Sequence, residues 1–205
     1  MPNLSRRLLM AAAAATLVAL GACSGASSAG SAEGDMTLGD PNAPVKMTEY
    51  ASLSCVHCAT FNNEVFPELK AKYIDTGKVH YTFKEFLTPP AEVAAAGFLL
   101  ARCAGEDKYF NVIDSIFHSQ QQMFTSGDVR GTLLRIGQSA GLSEDEFQAC
   151  IADEEGLREL NARIDKTQRE ARITATPTFA INGKVVKEGE MSMEELDAAI
   201  AAAQK

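Results

Sequence analysis

Tyr50-Ala51-Ser52-Leu53-Ser54-Cys55-Val56-His57-Cys58 sets two thiols at i and i+3, directly after a short run from Val45 that reads as a β-strand. The strand is introduced by the turn-forming Gly39-Asp40-Pro41-Asn42-Ala43-Pro44. Beyond Cys58, Phe61, Val65, Leu69 and Tyr73 recur every four residues with Phe66 beside them, one apolar face of a helix ending near Gly77. Val79, Tyr81 and Phe83 then alternate with His80 and Thr82, which predicts a second strand. The chain therefore opens β-α-β, with parallel pairing through the helix, and the thiols lie between the first strand and the first helical turn.

That position has chemical consequences. At a helix start Cys55 meets unpaired backbone N–H groups and the positive end of the helix dipole, which favour thiolate over thiol and make it the nucleophile. Cys58, one turn inside, should be buried, keep its proton longer and act as the resolving thiol of a mixed disulfide. Val56 adds no polar atom, whereas His57 can donate a hydrogen bond or carry charge near both sulfurs and so tune the thiolate. A stabilised thiolate makes the disulfide easier to reduce, so the expected couple is oxidising and hands its disulfide to substrates. A zinc knuckle and an inert structural disulfide are the two competing readings of the pair. Zinc would need two more ligands, and His80, His118, Cys103 and Cys150 stand at irregular spacing. The strand-then-helix setting is the one redox motifs require, and neither metal nor organic cofactor is expected.

After Thr88-Pro89-Pro90 the periodicity turns helical, with helices expected near 91–104, 107–119, 128–140, 144–152 and 155–171. Ser143 with Glu146 forms a capping box, and Gly105, Gly127, Gly141 and Gly156 fit helix ends or kinks. Strands return at Thr178–Ile181 and Lys184–Lys187 around the hairpin turn Asn182-Gly183, and a last helix, 193–203, follows Ser192 as a cap. The predicted fold class is α/β, β-α-β then β-β-α, with a large all-helical insertion at about 90–172. Pro177, in Ala175-Thr176-Pro177-Thr178-Phe179, cannot donate to a ladder. A cis Thr176-Pro177 bond would leave backbone groups beside the two cysteines free to pair with an extended substrate peptide, against the commoner case of a trans proline opening a strand.

The run Tyr50 to Cys58, the downstream Thr176-Pro177-Thr178-Phe179 with Ile181-Asn182-Gly183, and the helical block between them resemble the DsbA family of thioredoxin-fold oxidoreductases over residues 36–205. The resemblance implies a thioredoxin-like fold, Cys55 as nucleophile, Cys58 as resolving cysteine, and Thr176 with cis Pro177 as the substrate-contacting loop, Val56 lying beside it. It further implies oxidation of reduced, newly exported polypeptides and reoxidation by a membrane quinone reductase of the DsbB type. Two departures stand out: Val56 where the best-known members carry proline, and Thr176 where they carry valine, a choice closer to the disulfide isomerases. Those isomerases dimerise through an N-terminal domain for which residues 23–35 are too short, so a monomer is expected.

The N-terminus has the order of a secretory leader: Arg6 and Arg7, the apolar run Leu8 to Leu20, then small residues. At about 1.5 Å per residue the run falls short of the ~30 Å hydrocarbon core, so it reads as a removable leader over 1–22. Leu20-Gly21-Ala22-Cys23 resembles a lipobox, with Cys23 as the acylated residue and a periplasmic, lipid-anchored protein as the outcome; an ordinary secretory signal is the alternative. Residues 23–35 are rich in Gly, Ala and Ser and read as a flexible tether to one domain, 36–205. Losing Arg6 and Arg7 takes the net charge from −8 to −10, which argues against a nucleic-acid partner. Of five cysteines, Cys23 is the odd one, leaving an even four. Cys103 and Cys150 both fall on apolar helical faces, either as buried thiols or, the favoured reading, as a disulfide joining two helices of the insertion. Lys84 and Glu85 follow the second strand and read as a solvated charge pair, with a carboxylate beneath the cysteines as the alternative; His80 and His118 have no role. Beside the oxidase reading stand two others: an isomerase or reductase kept reduced by a membrane electron donor, and a non-enzymatic, lipid-tethered peptide-binding or chaperone module.

Overall fold

A computed structural model describes residues 34–204. The predicted leader, Cys23 and the tether up to residue 33 lie outside them. Five strands, β1 (Met36–Leu38), β2 (Val45–Ala51), β3 (Val79–Glu85), β4 (Thr178–Ile181) and β5 (Lys184–Glu188), form one sheet in the order β1-β3-β2-β4-β5. Only β2 and β3 run parallel; they are joined by the helical crossover that follows the cysteines, α1 (Val56–Thr60) and α2 (Phe66–Leu69). The insertion is five helices: α3 (Ala91–Cys103), α4 (Glu106–Ser126), α5 (Val129–Ser139), α6 (Glu144–Ile151) and α7 (Glu154–Ala171). Helix α8 (Met193–Ala203) closes the domain behind a capping box of Ser192 and Glu195. Among the described residues no helix is long and apolar enough to cross a membrane.

The crossover is less regular than its sequence pattern implies. Two wide π-type turns, Phe61–Val65 and Lys70–Ile74, flank α2. Pro67, within the first turn of α2, brings no N–H to the ladder, and the chain widens before it rather than break. An apolar repeat of four rather than 3.6 keeps Phe61 and Leu69 on the core through those turns.

Strand β3 organises the core, because Val79, Tyr81, Phe83 and Glu85 are buried while the alternate residues are only partly so. Tyr81 meets Phe66 of α2 at 5.0 Å between ring centroids, and Phe83 meets Phe98 of α3 at 6.1 Å and Tyr109 of α4 at 6.3 Å. One strand face therefore joins crossover and insertion into one core.

The expected boundaries change in three places. Helix α4 runs to Ser126 rather than 119, because Gln120 to Met123 are good helix formers and the first left-handed stop is Gly127, at φ 72°. Gly156 ends no helix: it lies inside α7, where a Cβ would come within 3.0 Å of Leu99 Cδ2. Gly34 and Asp35, assigned by composition to the tether, are held in place, Gly34 O by Arg102 Nη2 at 3.0 Å and Asp35 by Lys84 Nζ at 2.5 Å. Cys103 on α3 and Cys150 on α6 are joined by a disulfide with Cα atoms 5.8 Å apart.

Candidate active site

The cysteine loop begins where β2 ends. Cys55 is the N-cap of α1, with extended φ −86° and ψ 120°; its N–H donates to Ser52 O and its carbonyl accepts from Ala59 N–H, each at 3.1 Å. No side chain caps the helix, so the first N–H groups of α1 face the Cys55 sulfur. Cys55 is partly exposed and Cys58, one turn on, is fully buried; neither is disulfide-bonded in this structure.

The register of β2 on β4 brings the second element to the same place. Tyr50 pairs with Thr178 and Glu49 with Phe179, so Thr176-Pro177, which carries a cis peptide bond, abuts the loop that leaves β2. As a thiol, Cys55 Sγ donates to Thr176 O at 3.4 Å. The Thr176 hydroxyl is buried without a hydrogen-bond partner.

The two thiols are driven apart in acidity. Cys55 is lowered to about 5, first by the hydrogen bond from Cys58, against a contrary effect of burial, then by Thr176 and the N–H groups of Cys58 and His57. Burial pushes the Cys58 thiol far up, helped by its bond to Cys55 and the negative charges of Cys55 and Glu49. Cys55 is thus the sulfur that ionises and Cys58 the one that retains its proton.

Sequence reading missed the carboxylate of this site. Glu49, on β2, is 2 % exposed and accepts from Tyr81 Oη at 2.6 Å. Burial raises it to about 8; the Tyr81 hydrogen bond opposes that and the Cys55 charge adds to it. Lys84 and Glu85 do not fill this role, and they are no solvated pair. Glu85 is buried in the interior, accepting from Arg102 Nε at 2.6 Å, Arg163 Nε at 3.0 Å and Tyr109 Oη at 3.1 Å. The signal for Glu49 was a lone acid in step with Val45, Met47 and Ala51 on the buried face of its strand.

His57 is exposed and turns to the loop after β5, where its Nδ1 lies 2.6 Å from Glu190 Oε1. That bond, with the Glu190 charge, raises the imidazole and favours its cationic form. Val56 is 63 % exposed and, with Phe124 of α4, borders a groove of about 520 Å³ that Thr60, Asn63, Phe117 and Gln121 also line. Cys103 and Cys150 lie apart from this constellation, in the insertion. His118 is on α4 facing Asp114, and His80 has a buried Nδ1 without a partner. Among the described residues no group of three or more His, Cys, Asp or Glu could hold a metal.

A mixed sheet of this order, with a CxxC pair opening the first crossover helix and a cis-proline loop across from it, is a thioredoxin fold. The family described as Thioredoxin (Thioredoxin_4) matches residues 31–202. Wolbachia pipientis α-DsbA1 is 32 % identical, with a TM-score of 0.74 over 84 % of this chain and 92 % of that one. The chain belongs to the thioredoxin-fold family of DsbA-type disulfide oxidoreductases. The "Putative protein-disulfide oxidoreductase" of Rickettsia bellii is 34 % identical over 169 residues, 82 % of this chain and 64 % of its own length, so the chain spans under two thirds of that relative. Disulfide bond formation protein D of Bacillus subtilis is 26 % identical, over 77 % of this chain and 72 % of its own.

Proposed function

We propose that this protein is an extracytoplasmic thiol–disulfide oxidoreductase that introduces disulfides into exported polypeptides through Cys55 and Cys58. The observation that carries this is the placement of a partly exposed sulfur at an uncapped helix start, 3.4 Å from the Thr176 carbonyl, with its partner sulfur buried behind it. In the oxidised enzyme a substrate thiolate attacks Cys55 Sγ, forming a mixed disulfide and breaking the Cys55–Cys58 bond. The electron pair leaves on Cys58, which takes a proton. Glu49, at about 8, holds one at neutral pH and is the buried acid able to supply it. A second substrate thiolate then attacks its own sulfur in the mixed disulfide and expels Cys55 as thiolate. The substrate has lost two electrons to the enzyme. Substrate cysteines lie along Thr176-Pro177, with flanking side chains on Val56.

A stabilised Cys55 thiolate favours the reduced enzyme, which is the direction of a disulfide donor. Turnover then needs a thiol oxidant in the membrane, for which a quinone-linked partner of the DsbB type is proposed. The leader sequence and the lipobox at Cys23 support a periplasmic location with a lipid anchor. The test is equilibration with glutathione, paired with oxidation of a reduced, unfolded secreted protein. A couple more oxidising than glutathione, and disulfides gained by the substrate, are expected, with Cys58→Ser trapping mixed disulfides. A couple near thioredoxin's, about −270 mV, would reassign the protein as a reductase or isomerase. Full activity in Cys55→Ser would leave a peptide-binding module.

A further inference from the structure

Gln120 belongs to the insertion yet reaches the cysteine loop. Its side chain comes off α4, only 3 % of the residue is exposed, and Nε2 donates to Leu53 O at 2.9 Å and to Cys55 O at 3.1 Å. One amide thus spends both of its hydrogens on the two carbonyls flanking Ser54. The Cys55 peptide is held at its N–H by Ser52 O and at its carbonyl by Ala59 N–H and Gln120.

A second set of contacts grips the loop from the entrance to α3. Thr88 donates to Ser52 Oγ through its N–H at 3.1 Å and its hydroxyl at 3.0 Å, and Ser54 Oγ donates to Thr88 O at 2.6 Å. The four residues up to the nucleophile are therefore fixed by groups of the insertion and its hinge, not by the crossover helix alone. Carbonyl oxygens beside a thiolate oppose its charge unless a donor neutralises them, and the helix-start N–H groups help only while the sulfur is aligned on them.

We propose that Gln120 is a positioning residue for thiol–disulfide exchange: by donating to Leu53 O and Cys55 O it holds the Cys55 sulfur on the N–H groups that open α1. This rests on the exchange chemistry proposed above. Through Gln120 the helical insertion sets the redox poise of a centre that lies wholly in the thioredoxin part of the chain.

Gln120→Met keeps the length of the side chain and removes both donors. Gln120→Glu keeps the shape but, held protonated by burial, has one hydrogen to donate in place of two. Three quantities are read on the reduced mature protein: the pH midpoint of thiolate ultraviolet absorbance, the equilibrium constant with glutathione, and the melting temperature. Q120M should raise the thiolate midpoint by about one pH unit and make the enzyme about tenfold easier to oxidise, equivalent to about 30 mV. Q120E, which keeps one of the two donations, should move both readings in the same direction by less. If Q120M does not fold, Gln120→Asn, an amide on a stem too short to span both carbonyls, gives the same readings. A variant that melts earlier while midpoint and equilibrium constant stay within about twofold of wild type overturns the proposal, since a merely structural amide moves stability alone. If wild type itself has no thiolate midpoint below neutrality, the exchange chemistry fails, and Gln120 has nothing to position.

Discussion

Replacing Glu49 by Gln should cost the reduced protein stability in acid and stabilise it increasingly as pH rises through neutrality. Glu49 is enclosed, its carboxyl has Tyr81 Oη as hydrogen-bond partner, and burial carries it from 4.5 to about 8. A carboxyl raised in this way supports the fold fully below its unfolded value and loses that support as pH climbs toward its folded one. Each pH step between the two favours the unfolded chain by roughly 1.4 kcal/mol, so the wild-type penalty reaches an upper limit of about 5 kcal/mol above pH 8. A glutamine amide is neutral throughout and still accepts from Tyr81. Its two hydrogens need room or partners, which costs about 1–3 kcal/mol. The expected outcome is a loss of about 1–3 kcal/mol near pH 4 and a net gain of about 2–4 kcal/mol near pH 8.5, a swing of up to about 5 kcal/mol between the two. Urea denaturation of both proteins at the two pH values measures it. The same variant should form mixed disulfides with substrate thiols about a hundredfold more slowly, because the proton donor for Cys58 is gone. An E49Q effect on stability that is identical near pH 4 and pH 8.5 would refute a buried, proton-holding carboxyl.

Two further substitutions probe the frame around the site. Removing the Cys103–Cys150 cross-link as a double alanine variant opens a loop with a sequence separation of 47, for which chain entropy predicts a loss of up to about 4 kcal/mol in guanidinium unfolding; a loss below about 1 kcal/mol would show that packing between α3 and α6 suffices. In Gly97→Ala the new Cβ would stand 2.7 Å from Leu53 Cδ1 and 3.3 Å from Ile116 Cδ1, both in the core. Helix propensity returns about 1 kcal/mol and overpacking costs about 1–3, so a net loss of up to about 2 kcal/mol is expected, and a higher melting temperature would contradict it.

The architecture was readable because it is written in local periodicity. Alternation in Val79–Phe83, the four-residue apolar repeat after Cys58 and the Asn182-Gly183 turn each need only a few neighbouring residues. The capping box at Ser143 and Glu146 is likewise local, and it stands in the structure. What escaped depends on distance along the chain. Strand β1 has three residues and takes its identity from pairing with Phe83, Thr82 and Tyr81. Glu49 acquires its meaning from Tyr81, 32 residues on, Gln120 from a loop 65 to 67 residues earlier, and Glu190 from His57, 133 residues before it. The Lys84-Glu85 pair misled for the complementary reason. Adjacent charges look solvated in sequence, whereas a strand sends them to opposite faces, one toward Asp35 and the other onto buried Arg102.

The antiparallel register of β2 and β4 works as a gauge for the chemistry. Pairing of Tyr50 with Thr178 measures off, in whole residues, where the proline loop stops beside the nucleophile. A slip of one position would carry that loop about 3.3 Å along the sheet and turn the opposite set of side chains toward the core. Chains that add or lose a residue between Ile173 and Thr176 could still build the sheet, helices and disulfide, yet their substrate loop would be set to the wrong length.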